Sequence, residues 1–236
     1  MSEPRSRAVE LATINAATAR KAHWESIHQR KAPDRVSWYR PHLDLSLEFI
    51  ERADLALDAA IIDVGGGSST LVDDLVVRGY TNVTVLDISE SAIEAAKARL
   101  GDKERVVRWL VADVTKVAFE AESYDLWHDR AVFHFLLQGE ERRKYVAAAR
   151  GAVKLGGKIL VATFGPEGPK RCSDLEVVRY DADILHEEFG RDLSRLDSQI
   201  EMHKTPSGVE QQFVYCYFGV PGDQGGDDPA SACDPR

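Results

Sequence analysis

In residues 61–89, IIDVGGGSSTLVDDLVVRGYTNVTVLDIS, three adjacent glycines lie between two aspartates. Asp63 stands two residues before Gly65, and Asp87 stands 20 residues after Gly67. Gly65, Gly66 and Gly67 follow an apolar run and precede a helical pattern. Without Cβ atoms the chain can turn sharply there and let a ligand approach the main chain. Ser68 or Ser69 can cap the helix that follows. A carboxylate ending the next strand can accept hydrogen bonds from two ribose hydroxyls. A dinucleotide, a nucleoside, a phosphate or nothing at all would each suit a slightly different version of such a turn. Farther on, Asp113 closes the run VVRWLVAD with Val114 next to it, and His128, Asp129 and Arg130 close YDLWHDR, with His134 behind them. Two imidazoles, which titrate near neutrality, are candidate proton acceptors, and Asp129 could orient a cationic substrate.

Two features count against a dinucleotide. The third glycine of GxGxxG would fall at Thr70, where a β-branched side chain spoils close helix–strand packing. Asp63 would repel a pyrophosphate. A sulfonium amino acid joined to adenosine suits both acids, with its ribose on Asp87 and its cationic amine near Asp63. The same residues also have plain structural readings. Asp63 could cap a helix, Asp113 could be a turn residue, and His128 and His134 could be satisfied core or surface histidines.

These residues need strands and helices in alternation to bring them together. The apolar runs AAIID, VTVLD, VVRWLVAD, YDLWHD and KILVATF read as strands. The segments SSTLVDDLVVRGY, SESAIEAAKARLG and EERRKYVAAARGAVKLGG carry apolar residues three and four apart and read as helices. Strand–helix alternation of this length predicts a parallel sheet covered on both faces, with ligands beyond the carboxyl ends of its strands. Ahead of it, residues 7–30 have helical spacing. Pro33 and Pro41 then predict a helix over 20–30, a loop over 31–43 and a helix over 44–54. Trp38 and Tyr39 fall on that loop, either as a plug on the domain or as a lid on a pocket. GPEGPKRCSDLEVVRY reads as a long polar loop, and the two apolar runs around TPSG as a β-hairpin. The organisation expected is a helical lid region over 1–55, a sheet domain over 56–220 and a disordered tail over 221–236.

Composition narrows the function classes. The chain has 236 residues and a net charge of −9, which argues against a nucleic-acid surface because phosphate binding draws on clustered Lys and Arg. No run of 18 apolar residues offers a membrane span. The stretch Arg5 to Lys31 is mildly basic, but a transit peptide would avoid its acids. Cys172, Cys216 and Cys233 form no CxxC pair, so no metal site is expected and a reducing, cytoplasmic setting is. Cys216 reads as packing within a strand, and Cys172 as a loop residue.

Together, DVGGGSS, VLDIS, VADVTKVAFEAESYDLWHDRAVFHF and VKLGGKILVATF resemble the class I S-adenosylmethionine-dependent methyltransferases, over about residues 20–219. HWESIHQRKAPDRVSWY and the first crossover helix are similar to a bacterial subgroup near the lysine methyltransferases of citrate synthase and elongation factor. The resemblance implies a Rossmann-like α/β fold: a seven-stranded sheet, mostly parallel, ending in an antiparallel hairpin, with helices on both faces. It implies S-adenosyl-L-methionine as cofactor and S-adenosyl-L-homocysteine as product. Asp63, Gly65, Gly66 and Gly67 would line the methionine end, Asp87 would take the ribose with Ile88 on the adenine, and Asp113 with Val114 would meet the adenine amino group. His128, Asp129 and Arg130 would stand next to the transferred methyl, with His128, Asp129 and His134 as catalytic candidates.

The chain departs from the family pattern in three places: Gly66 stands where Cys or another small residue is common, Leu155 replaces the usual proline, and Ala131–Val132 stand where lysine-methylating relatives tend to have a Gly-Thr-like pair. The last weighs against a lysine substrate. Trp38, Tyr39, Arg130, Arg171, Cys172, Tyr180 and His203, with Gln212, are the substrate-contact candidates. Methyl transfer to a small molecule is the leading expectation, with a protein side chain as runner-up. A nicotinamide oxidoreductase and a non-catalytic nucleoside-binding module are the rivals.

Overall fold

The computed structural model describes residues 18–222. The expected helix over residues 7–17, most of the expected tail (223–236) and Cys233 lie outside the described residues. Within them, helix α1 covers 18–30 and helix α2 is Asp44–Arg52. The alternating body follows: β1 Ile61–Val64, α3 Leu71–Val77, β2 Val83–Asp87, α4 Glu90–Leu100, β3 Val107–Val111, β4 Tyr124–Arg130, α5 Gly139–Ala152 and β5 Val153–Phe164. The chain then makes β6 Arg171–Cys172, β7 Leu175–Glu176, α6 Ala182–Phe189, β8 Ser194–Lys204 and β9 Glu210–Gly219.

Seven strands form one sheet in the order β3-β2-β1-β4-β5-β9-β8. The first five are mutually parallel, and β9 runs antiparallel to both β5 and β8. β1 and β2 are buried at every residue, as the central strands of a doubly covered sheet must be, which is why their sequences are mostly apolar, with Asp63, Thr84 and Asp87 as the polar residues. Successive side chains feed opposite cores. Ile61 and Leu126 pack with α2 and α3 residues such as Leu47 and Leu71, whereas Ile62 and Trp127 pack with Tyr145 and Ala149 of α5.

The polar loop expected over 165–180 contains a short hairpin, β6–β7. Its turn residues Ser173 and Asp174 both have positive φ, 48° and 63°, the signature of the mirror-image turns that join adjacent strands. Neither residue is glycine, so composition gave no sign of it. The hairpin expected around TPSG is β8–β9, turned at Gly208 (φ 87°), with Thr205 Oγ1 accepting from the Val209 N–H at 3.0 Å.

Strand order reverses between β1 and β4: the chain goes outward through β2 and β3, then returns to the other side of β1. The loops leaving β1 and β4 therefore diverge and open a crevice at the carboxyl ends of the strands.

Candidate functional site

Gly65 starts the turn after β1 with φ +72°, and its N–H donates to the Leu86 carbonyl at 2.7 Å, fixing the turn against β2. Its two neighbours are small for reasons of space. A Cβ on Gly66 would lie 2.2 Å from Asp63 Oδ2, and one on Gly67 would lie 2.6 Å from Ala92 Cβ and 2.8 Å from Asp87 Oδ2. The turn is thus folded directly onto the two acids that flank it in sequence. Ser69 Oγ, rather than Ser68, accepts the Leu71 N–H at the start of α3.

Above the turn is an open cleft of about 780 Å³. Val64, Gly65, Asp87, Ile88, Asp113 and Val114 line its sheet side. Arg130, Ala131, Val132 and Phe135 line it beyond β4, and Trp38 and Cys172 close it laterally. A second cavity, about 370 Å³, adjoins it and is lined by Asp63, Tyr39, Thr70 and His128 among others. The two share Gly65, Ser68, Trp38 and Arg130 as their common wall.

The acids have unused bonding capacity. Asp63 binds His128 Nδ1 through Oδ1 at 2.7 Å, while its buried Oδ2 has no hydrogen-bond partner. Asp113 accepts from Thr115 N and Oγ1 through Oδ1; its buried Oδ2 is likewise unpartnered and lies 3.8 Å from Arg20 Nη1. Asp87 accepts from Ser89 N at 2.8 Å and Gly67 N at 3.0 Å. Burial pushes its carboxyl up to about 6, against those bonds. Buried carboxylate oxygens without donors are costly unless a ligand supplies them. A diol for Asp87, an amino group for Asp113 and an ammonium for Asp63 would do so, and these are what S-adenosylmethionine carries.

The end of β4 alternates. His128 points toward α2, where Nδ1 meets Asp63 and Nε2 lies 2.9 Å from Ser46 Oγ, all three side chains being buried. Asp129 points to the opposite face. It accepts from Val132 N at 2.8 Å, Phe133 N at 3.0 Å and the Tyr145 hydroxyl, and it lines neither cavity. Burial raises its carboxyl to about 6. Its visible effect is to hold the turn that presents Ala131 and Val132. Arg130 returns to the first face, where Nε donates to the Tyr215 hydroxyl at 2.8 Å, Nη1 to Trp38 O at 3.2 Å and Nη2 to Glu201 at 3.2 Å.

The remaining candidates divide. Trp38 donates from Nε1 to Ser68 Oγ at 3.4 Å and Tyr39 lines the smaller cavity, so both stand at the site. Cys172 is buried on the cleft wall, and burial raises its thiol above the usual range. His134 is fully buried between Phe135 and Phe164, accepts the Phe164 N–H through Nδ1 at 3.1 Å, and is pushed down to about 3 by burial and Arg130. It lines neither cavity, nor do Arg171, Tyr180, His203 and Gln212. Arg171 donates to the Asp174 carbonyl in its own hairpin. Tyr180 packs on Phe133. His203 bonds Ser37 O at 2.7 Å and so steadies the loop carrying Trp38. Gln212 accepts the Glu167 N–H.

Three site residues come from α1: Arg20, Trp24 and His28 line the cleft. Their spacing of four places them on one helical face, a signal present in the sequence. Glu25, on the same helix, accepts from Ser89 Oγ at 2.8 Å, from Ser91 N at 3.2 Å and from Ser91 Oγ, tying α1 across the start of α4.

This sheet order, a glycine turn at the switch point, and an acid at the end of each of β2 and β3 define a nucleoside-binding fold whose free carboxylate oxygens fit a sulfonium nucleoside. Residues 62–161 match the family described as a methyltransferase domain, and the chain carries a methyltransferase domain of the S-adenosylmethionine-dependent kind. It is 24% identical to the bovine eEF1A lysine and N-terminal methyltransferase over 80% of this chain but 25% of that protein. It is 20% identical to the human EEF1A lysine methyltransferase 2, over 64% of this chain and 70% of that one. The chain thus spans about a quarter of the length of the bovine relative.

Among solved structures, a SAM-dependent methyltransferase from Methanosarcina mazei superposes with a TM-score of 0.63 at 16% identity, covering 74% of this chain and 98% of that one. The Burkholderia thailandensis 1,6-didemethyltoxoflavin-N1-methyltransferase, solved with 1,6-didemethyltoxoflavin and S-adenosylhomocysteine, superposes with 0.62 at 17% identity, over 94% and 92%. Both share the fold. Among the described residues no helix is long and apolar enough to cross a membrane, and no cluster of His, Cys, Asp and Glu could hold a metal ion.

Proposed function

We propose that this methyltransferase alkylates a small-molecule nucleophile held in the cleft between the glycine turn and α1. The observation that carries the reading is the make-up of the cleft apart from Asp87 and Asp113: Trp24, Trp38, Phe135 and Arg130 line it, with no third carboxylate. A lysine ammonium must lose a proton before it can react, and a nearby acid ordinarily receives or steadies it.

Bound S-adenosylmethionine supplies a methyl group already activated on a sulfonium. The protein's task is then to align the acceptor and keep water out, an effect worth roughly 7–11 kcal/mol in favourable systems. Asp87 would hold the ribose hydroxyls, Asp113 the adenine amino group and Asp63 the amino-acid end. His128, with both nitrogens engaged by Asp63 and Ser46, orients Asp63 rather than meeting an acceptor. His28 lines the cleft and is kept neutral near pH 7 chiefly by burial, so its imidazole is the proton acceptor we assign for an acceptor that carries one.

The relatives named for eEF1A lysine methylation favour a second reading, a protein side chain as substrate. Ala131–Val132 and the lack of a third acid in the cleft lining weigh against it. The net charge of −9 supports a substrate other than nucleic acid, and unpaired Cys172 and Cys216 support a reducing cytoplasm. Incubation with labelled methyl donor and size-fractionated lysate separates the readings. Label in the small-molecule fraction supports ours, and label confined to polypeptide overturns it.

A further inference from the structure

Four rings stand together on the wall of the cleft. Trp24 meets Phe135 at 4.9 Å between ring centroids, inclined at 75°, and Trp38 at 5.8 Å, inclined at 78°. His28 meets Trp38 at 6.0 Å. All four line the cleft, and none is fully buried. Partly bare aromatic surfaces facing one cavity, with walls nearly at right angles, offer a flat guest both stacked and edge-to-face contacts.

Ring faces also attract ammonium groups, so the rings alone leave the guest's charge open. The surrounding charges decide it. Arg130 lines the same space, and its side chain is only 4% exposed, so its field is poorly screened. Its carboxylate partner, Glu201, is shared with Arg40, whose Nη1 lies 2.6 Å away and whose Nη2 lies 3.0 Å from the exposed Asp44. Glu25, the acid on the helix that carries Trp24, is turned to Ser89 and Ser91. His28 adds no charge. The cleft lining carries no acid besides Asp87 and Asp113, Asp63 opening on the smaller cavity, and Arg130, bonded to the Trp38 carbonyl, meets an ammonium entering among these rings with like charge.

We propose that the part of the cleft bounded by these rings is the acceptor subsite for a flat aromatic or heteroaromatic molecule that carries no positive charge; the assignment rests on the small-molecule reading above. Its preference runs from anionic rings, favoured by Arg130, through neutral rings to alkylammonium groups.

The test uses the full chain saturated with S-adenosylhomocysteine and three probes: 4-hydroxybenzoate, phenol and Nα-acetyl-lysine amide. Binding is followed by tryptophan fluorescence and calorimetry. The two ring compounds are expected to bind, with the lysine derivative at least tenfold weaker. Trp24→Leu and Phe135→Leu should each weaken the ring compounds tenfold or more while keeping the parent's circular-dichroism melting curve, and either variant suffices if the other fails to fold. The proposal is overturned if neither ring compound binds, if the lysine derivative binds as tightly as they do, or if a folded variant binds them as the parent does. In the labelled lysate, methyl label in small molecules without an aromatic ring would sink this assignment and leave the small-molecule reading standing, whereas label only in protein would sink both.

Discussion

At the residue scale, the site is a set of buried carboxylates at the ends of adjacent strands, each with capacity for a further donor. Asp87 gives the most direct consequence. Its carboxyl stands at about 6, and a protonated carboxyl cannot accept from both ribose hydroxyls. Affinity for S-adenosylhomocysteine, measured calorimetrically, should therefore fall as pH drops below about 6. An affinity flat from pH 7.5 to 5 would contradict the assignment. Ala131 offers a second test. Its φ of +76° is costly for any residue with a Cβ, about 1–2 kcal/mol, while glycine adds about 0.5–1 kcal/mol of unfolded-state entropy. Ala131→Gly should leave the protein as stable or stabilise it by up to about 1 kcal/mol, read from thermal unfolding. The same backbone conformation accounts for a glycine being comfortable at this position in the lysine-methylating pattern. The acids were legible in sequence because each ends an apolar run. The partners were not: Ser46 reaches His128 across 82 residues, and no local pattern encodes that bond. The opposed directions of His128 and Asp129 were legible in principle, since neighbouring strand residues face opposite sides.

At the element scale, α1 is held over the cleft mainly at two places: Glu25 on the serines opening α4, and Arg20 on Glu141 and Asp113. A carboxylate taking several hydrogen bonds at a helix N-terminus is worth about 1.5–3 kcal/mol. Glu25→Ala should therefore speed release of S-adenosylhomocysteine by about tenfold or more in stopped-flow fluorescence, and Ser91→Ala should do so by less. Release unchanged in both would show that α1 is not the cover. The strands and helices of the body were readable because burial on both faces makes β1 and β2 largely apolar, with Asp63, Thr84 and Asp87 as their polar residues, and because TPSG marks the β8–β9 turn. The β6–β7 hairpin was hidden, since its turn uses Ser173 and Asp174 where glycine or asparagine would have announced it. The α1 face of Arg20, Trp24 and His28 was visible as a spacing of four, but its meaning depends on docking to α4, a contact between distant segments.

At the scale of the whole molecule, stability and ligand binding should respond to pH in opposite directions. Asp87 and Asp129 both have folded values raised from 3.8 to about 6, so the fold binds more protons than the unfolded chain between those values. The stability they contribute is fully present below about 3.8 and is lost as pH rises through about 6. These two groups should therefore raise the unliganded Tm between pH 7.5 and 5.5, while the Tm increment given by saturating S-adenosylhomocysteine shrinks over the same interval. Both are read from one set of thermal melts, and an increment that grows on acidification would count against an ionised Asp87 in the complex. The measurement that bears most directly on the account is calorimetric titration of the full chain and of Asp87→Ala with S-adenosylhomocysteine at pH 7.5. Saturable one-to-one binding by the parent, weakened about a hundredfold in the variant through loss of two charge-assisted hydrogen bonds, is the predicted result. No heat with the parent, or equal affinity in the two proteins, would contradict it.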